Sequence, residues 1–130
     1  MGLLAEWNDL QDGLATVGVK GELLGSLERI LAAIIILGDV KFNSLAHDSS
    51  SVANKDIIQN AANMLAVDAD MLEKVLTSQD IVIAGETTVK SLDSRHASAN
   101  RDSLAKMIYA NLFAWIFKMC NEFLTDTQAA

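Results

Sequence analysis

Two stretches of this chain are apolar on nearly every side of a helix, and they constrain the fold more than any other feature. Residues 30–37 are eight consecutive apolar residues, and from residue 112 to 123 nearly every face is apolar, interrupted by Lys118. A helix that is apolar all round is normally buried all round. The first stretch is far short of the ~20 residues that span a membrane. A chain of 130 residues is one domain long. Five helices and a hairpin can wrap one such stretch. Enclosing both, one on a helix of about 30 residues and ~45 Å, leaves an apolar patch larger than a monomer tolerates. The expectation is a piece of something larger, or an obligate oligomer through exposed apolar helices.

The remaining pattern is mostly helical. Proline is absent and aromatics are 5%, which favours helix over strand. Leu3, Leu4, Trp7, Leu10 and Leu14 recur at helical spacing, and Gly18 closes that run. A second helix is predicted over 21–37, with Gly38 as a left-handed C-cap. Val40, Lys41 and Phe42 suggest a short strand, and 43–51 reads as a serine-rich surface loop. Asn54 is placed to cap a helix over 55–65. Asp68 or Asp70 caps a short helix carrying Met71, Leu72, Val75 and Leu76. The period then changes: residues 81–83 and 87–89 are β-branched on either side of Gly85 and Glu86, a hairpin signal. Asp93 or Ser94 opens the longest helix, to about residue 124. The predicted class is mainly α: a helical subdomain with a long C-terminal helix and one short β-hairpin.

Charge and composition exclude several functions. Ten Lys and Arg against seventeen Asp and Glu give a net charge of −7, opposite in sign to a nucleic-acid binder. Residues 93–124 hold Arg95, Arg101, Lys106 and Lys118 against Asp93, Asp102 and Glu122, so no basic patch forms there. A single cysteine, Cys120, excludes an internal disulfide or a multi-cysteine zinc site. His47 and His96 are too isolated for catalysis, and no basic leader precedes an apolar run. No catalytic, cofactor-binding or metal-ligating residue is assigned.

Four segments, in order, resemble one family. Residues 30–42 resemble the myosin motor-domain segment ILAAILHLGNIEF, and 61–67 resemble AAxLLGV. Residues 85–90 resemble the cardiomyopathy loop with its following VKPL. Residues 101–117 resemble RDALAKAIYxxLFDWLV. The resemblance runs from about residue 9 to 121. It implies the latter part of the upper 50-kDa subdomain of a myosin head, one side of the actin-binding cleft, for the whole of 1–130 with no second domain. It implies an actin filament and the remaining parts of a motor domain as partners, and a cytoplasmic, cytoskeleton-associated location. The family's phosphate loop, switch I and switch II motifs have no counterpart here, and no glycine-rich loop opens a helix with Lys and Ser or Thr for phosphate and magnesium. The chain alone is therefore expected to have no cofactor and no ATPase activity, Mg-ATP belonging only to a complete parent motor.

The resemblance also singles out residues. Glu86, sixteen positions before Asp102, stands where an acidic or phosphorylatable residue favours productive actin binding. Ile83, Gly85, Thr87, Thr88, Val89 and Lys90 complete the actin-contact candidates. On the residues alone, Glu86 reads as a solvated turn glutamate, and only the resemblance brings the contact reading level with it; the rest reads as an ordinary edge hairpin that must be covered, charged or used. Asp102 and Lys106 are spaced for an i,i+4 pair. Tyr109, Phe113, Trp115 and Phe117 are expected in the core, as are Met64, Met71, Met107, Met119 and an inert Cys120. Ala114 replaces the family's acidic residue before the tryptophan, and Asp39 its usual asparagine. The rival reading is a free-standing helical protein-interaction or oligomerisation module; a bundle enclosing an apolar ligand lacks polar groups to orient one. Met1-Gly2 and 125–130 read as the ends of an excised piece, the latter as loop.

Overall fold

The computed structural model describes residues 2–129. Five helices and two hairpins follow in the order α1 (Leu3–Thr16), α2 (Glu22–Leu37), β1 (Phe42–Leu45), β2 (Ser49–Val52), α3 (Lys55–Leu65), α4 (Ala69–Thr77), β3 (Ser78–Ile83), β4 (Glu86–Ser91) and α5 (Ser94–Ala129). The mainly-α class and the long last helix are as the sequence predicts. The helix predicted over 55–65 has those bounds. Asp68 caps α4 by accepting from the Asp70 N–H at 3.2 Å.

Apolar burial is divided between two clusters. Leu37, Val40, Val52, Ile58, Ala61, Ala62, Leu72 and Leu76 form the first, joined by Leu104, Ala105 and Ile108 of α5. Leu14, Val19, Leu27 and Leu112 form the second, with Ile30, Leu31, Trp115, Ile116 and Met119 against them. Two helices therefore thread both clusters: α2 gives its first half to the second cluster and its end to the first, and α5 does the reverse.

Several expectations are corrected. A second antiparallel hairpin, β1–β2, occupies the stretch read as loop. Its serines carried no strand signal, yet Ser50 donates to the Leu92 carbonyl (2.7 Å) and Ser44 meets Ser94 (2.9 Å). Gly38 is right-handed, at φ −61°, because the chain leaves α2 through tight turns from the Asp39 and Val40 N–H groups to the Ile36 and Leu37 carbonyls. The Asn54 side chain does not cap α3. Its oxygen accepts from the Lys41 N–H and its nitrogen donates to the Asp39 carbonyl, bracing that exit instead. Asp102 pairs with Arg101 rather than Lys106. The stretch read as terminal loop continues α5 to Ala129.

The apolar stretches are not enclosed. Ile35 is 72% exposed, Phe113 62%, Phe117 60% and Tyr109 56%. Met64, Met71 and Met107 are exposed as well, and most of the α1 leucine stripe faces solvent. The helical spacing was legible. The number of neighbours available to cover each face was not.

Candidate functional site

The β3–β4 hairpin follows from a two-residue turn. Ala84 and Gly85 both have positive φ, +53° and +82°, the conformation that matches the right-handed twist of the flanking strands. That turn fixes the register: Ile83 pairs with Glu86, Val82 with Thr87, Ile81 with Thr88, Asp80 with Val89, Gln79 with Lys90 and Ser78 with Ser91. The strands extend further back than their β-branched residues suggest, because equal pairing from the turn carries β3 to Ser78.

Directly opposed residues share a face, and faces alternate along each strand. Ile83, Glu86, Thr88 and Lys90 therefore lie on one face with Ile81. Thr87 and Val89 lie on the other with Val82 and Asp80. Gly85 is in the turn. The structure thus divides the seven candidates between two faces, and gathers only Ile83, Gly85, Glu86 and Thr87 at the tip. Lys90, four residues from Glu86, sits about 13 Å back along the strand. Every residue of β4 is exposed, and Val82, Ile83 and Val89 are 70%, 65% and 53% exposed. Nothing among the described residues covers either face at the tip.

The root, by contrast, is held. Leu92 is buried, and its N–H donates to the Thr77 carbonyl at 2.9 Å. Asn100 of α5 donates to the Val75 (2.8 Å) and Leu76 (3.3 Å) carbonyls, satisfying the open C-terminal end of α4. Asp93 caps α5: its carboxylate accepts from the His96 N–H (2.8 Å) and meets the His96 ring Nδ1 at 2.7 Å. The backbone hydrogen bond first, then the ring contact, hold the Asp93 carboxyl below the ordinary aspartate value. One helical turn on, Arg101 donates to the Val40 carbonyl at 2.6 Å, tying α5 to the exit of α2.

Sequence reasoning missed the roles of three residues: Asp80 adds a negative charge to the hairpin, Asn100 ties α5 to the end of α4 from which β3 leaves, and Arg101 ties α5 to the exit of α2. Asn100 is a polar side chain on a helix whose neighbours were unknown, and Arg101 opens the segment that resembles the family without any sign that its partner is the Val40 carbonyl. Among the described residues no His, Cys, Asp and Glu cluster could hold a metal. A groove of about 690 Å³ lies away from the hairpin between α2, the end of α3 and α5. It is lined chiefly by Leu27, Ile30, Ile108, Leu112 and Trp115, with Arg29, Ser26 and Asn111 as its polar groups.

The family model for the myosin head (motor domain) matches residues 4–130. Human myosin-IIIa is 34% identical over 124 residues, covering 92% of this chain and 8% of that protein. Unconventional myosin-Id of Rattus norvegicus is 32% identical over 120 residues, covering 92% and 12% respectively. Chitin synthase 8 of Mycosarcoma maydis is 32% identical over 121 residues, covering 91% and 6%. The chain spans a small fraction of the length of each of these relatives.

Proposed function

The chain belongs to the myosin head (motor domain) family, and from that premise we propose that it forms the filament-facing part of a larger actin-based motor, with the β3–β4 hairpin as its actin contact. It corresponds to the latter part of the upper 50-kDa subdomain, on one side of the actin-binding cleft. The hairpin carries this reading. It is rooted firmly, uncovered on both faces, rich in β-branched residues, and tipped by Glu86 where the family places an acidic or phosphorylatable residue. An uncovered hairpin of this kind is an edge built for a partner or a liability. A permanent carboxylate at its tip needs no kinase.

ATP chemistry belongs to parts of the parent outside these residues, and the parent's location is the actin cytoskeleton in the cytoplasm. No described helix is long and apolar enough to cross a membrane. A free-standing interaction module is the weaker reading, since motor-domain similarity runs through residues 4–130.

The test is co-sedimentation of the 130-residue chain with filamentous actin at low salt, beside Glu86→Lys and Ile83→Asp. Half a cleft should bind weakly, with a dissociation constant of about 10 µM or more. Each substitution should weaken it by about fivefold or more. Binding unchanged in both variants, or none with about 100 µM filament, overturns the assignment of the hairpin. A submicromolar constant overturns the idea that the binding surface is incomplete.

A further inference from the structure

The serine-rich hairpin β1–β2 stands against the root of the candidate contact. Directly opposed residues share a face, and faces alternate along each strand. The pairs Phe42–Val52 and Ser44–Ser50 therefore lie on the same side of the ribbon. The first pair is apolar: Val52 is buried, and Phe42 packs against the first cluster. The second pair, two residues nearer the turn, carries only hydroxyls. The Ser50 hydroxyl donates to the Leu92 carbonyl at 2.7 Å, and the Ser44 hydroxyl meets that of Ser94 at 2.9 Å. One cross-strand pair thus grips both sides of Asp93, at the junction where β4 ends and α5 begins. Leu92 is held from two directions, its N–H by the Thr77 carbonyl at the end of α4 and its carbonyl by Ser50.

The ribbon that makes these contacts is itself tied down at both ends. At its base the Ala53 N–H donates to the Lys41 carbonyl at 2.8 Å, and the Asn54 amide bridges Lys41 and Asp39. At its turn the Ser49 hydroxyl donates to the Ala46 carbonyl at 2.7 Å. An apolar side chain at position 50 would leave the part-buried Leu92 carbonyl without this donor. The lever above the junction is long enough for small tilts to matter. From Ser91 to Glu86 the strand spans about 17 Å. A tilt of about 10° at the junction would move the Glu86 backbone by about 3 Å, the length of a hydrogen bond.

We propose that β1–β2 is a brace that sets the angle at which β3–β4 stands on the body, with Ser50 and Ser44 as positioning residues. Neither lies at the tip; they act through Leu92 and Ser94. A contact made jointly by Ile83, Glu86 and Thr87 needs the three to arrive together, and a braced hairpin loses less freedom when it binds. The purpose of the brace rests on the actin reading, whereas the angle it fixes is a property of the chain alone.

The experiment measures the distance between spin labels on Thr88→Cys and Asn60→Cys, both exposed positions, in a Cys120→Ser background by pulsed electron resonance. Circular dichroism checks that helicity is kept. Ser50→Ala should broaden the distance distribution by about 3 Å or more, and Ser50→Thr, which keeps the hydroxyl, should restore it. Ser44→Ala, at an exposed position, should broaden it too and serves as the second variant should the first disturb folding. In the unlabelled chain, Ser50→Ala should weaken co-sedimentation with filamentous actin by about threefold, and Ser50→Thr should not. A distribution unchanged in both alanine variants overturns the brace. So does equal broadening in Ser50→Thr, since the hydroxyl would then not be what holds the angle. Broadening with no loss of binding, in a chain that Glu86→Lys still weakens, overturns the positioning role. If Glu86→Lys also leaves binding unchanged, the actin reading fails, while the distances still decide the brace.

Discussion

Arg101→Met isolates one buried contact that joins the hairpin's support to the rest of the molecule. The Arg101 guanidinium donates through Nη1 to the Val40 carbonyl at 2.6 Å and through Nε to Asp102 Oδ1 at 3.0 Å. Its side chain is 16% exposed, that of Asp102 is 56% exposed, and Val40 is fully buried. Methionine keeps most of the aliphatic stem, so packing changes little. It leaves the Val40 carbonyl without its donor in a site that water reaches poorly. An orphaned buried acceptor costs about 1–3 kcal/mol, and hydrogen bonds from charged donors sit at the upper end of their range. We therefore expect a loss of about 2 kcal/mol. Asp102→Ala removes only the exposed ion pair and should cost less than about 1 kcal/mol. Urea unfolding followed by circular dichroism reads the difference. With a slope of about 1.5 kcal/mol per molar urea, Arg101→Met should lower the midpoint by about 1.3 M. The titration is run at the lowest usable chain concentration, so that self-association adds nothing to the apparent stability. If Arg101→Met costs no more than Asp102→Ala, the Val40 carbonyl is not the partner that matters, and the account of how α5 is tied to the exit of α2 fails.

The turn of the candidate hairpin gives a paired prediction. Ala84→Asn should stabilise the chain by about 0.5–1 kcal/mol, because asparagine tolerates the left-handed conformation that alanine occupies there at a penalty, while Gly85→Ala should destabilise it by about 1 kcal/mol; thermal melts of both variants check the signs. Asp93 predicts a pH dependence. Its carboxyl is held below the ordinary aspartate value by His96, so its contribution is complete above the unfolded-state value and is lost as pH falls through the lowered folded value. Asp93→Asn should therefore be less stable than the wild type at neutral pH and equal to it in strong acid, a convergence that acid titrations of stability would reveal or refute.

What the sequence made legible was local. The helix over 55–65 announces itself through Ile57, Ile58, Ala61, Ala62 and Leu65 on one face, and the structure keeps that face inward. The β3–β4 hairpin is legible because Val82, Ile83, Thr87 and Val89 flank a glycine turn. The β1–β2 hairpin was not, because Asn43, Ser44, Ser49, Ser50 and Ser51 have little strand preference of their own. They are drawn into strands by Val52, which is buried, and by hydrogen bonds to Leu92 and Ser94 far along the chain. Tertiary context of this kind overrides weak local propensity. Asn54 shows the same limit from the other side. Its type and position fit an N-cap, yet its amide is claimed by Lys41 and Asp39, groups that no reading of adjacent residues could set within reach. The exposed Phe113 and Phe117 are a third case: a side chain's hydrophobicity says that it wants cover, not that this chain contains the cover.

The two uncovered surfaces, the hairpin and the exposed Tyr109, Phe113 and Phe117 of α5, stand in different mechanical relations to the body. The α5 side chains lie on a helix whose opposite side packs directly on the second apolar cluster. The hairpin is held at its root, where the Leu92 N–H donates to the Thr77 carbonyl and the Ser78 hydroxyl donates to the Lys74 carbonyl. Its tip conformation is set by its own register and by the Ala84-Gly85 turn, so Glu86 is presented as a fixed chemical group on a short lever. Among the described residues, the element that runs from the hairpin root to Phe117 is α5, about 26 Å of helix from Asn100. A continuous helix does not transmit force by bending at one residue. It moves as a rod, and its movement must be accommodated where it slides over the two clusters. Coupling between the surfaces would then require the clusters to have two packings, and the side chains that would have to repack are those that α5 gives to each: Leu104 and Ile108 on one, Trp115 and Met119 on the other.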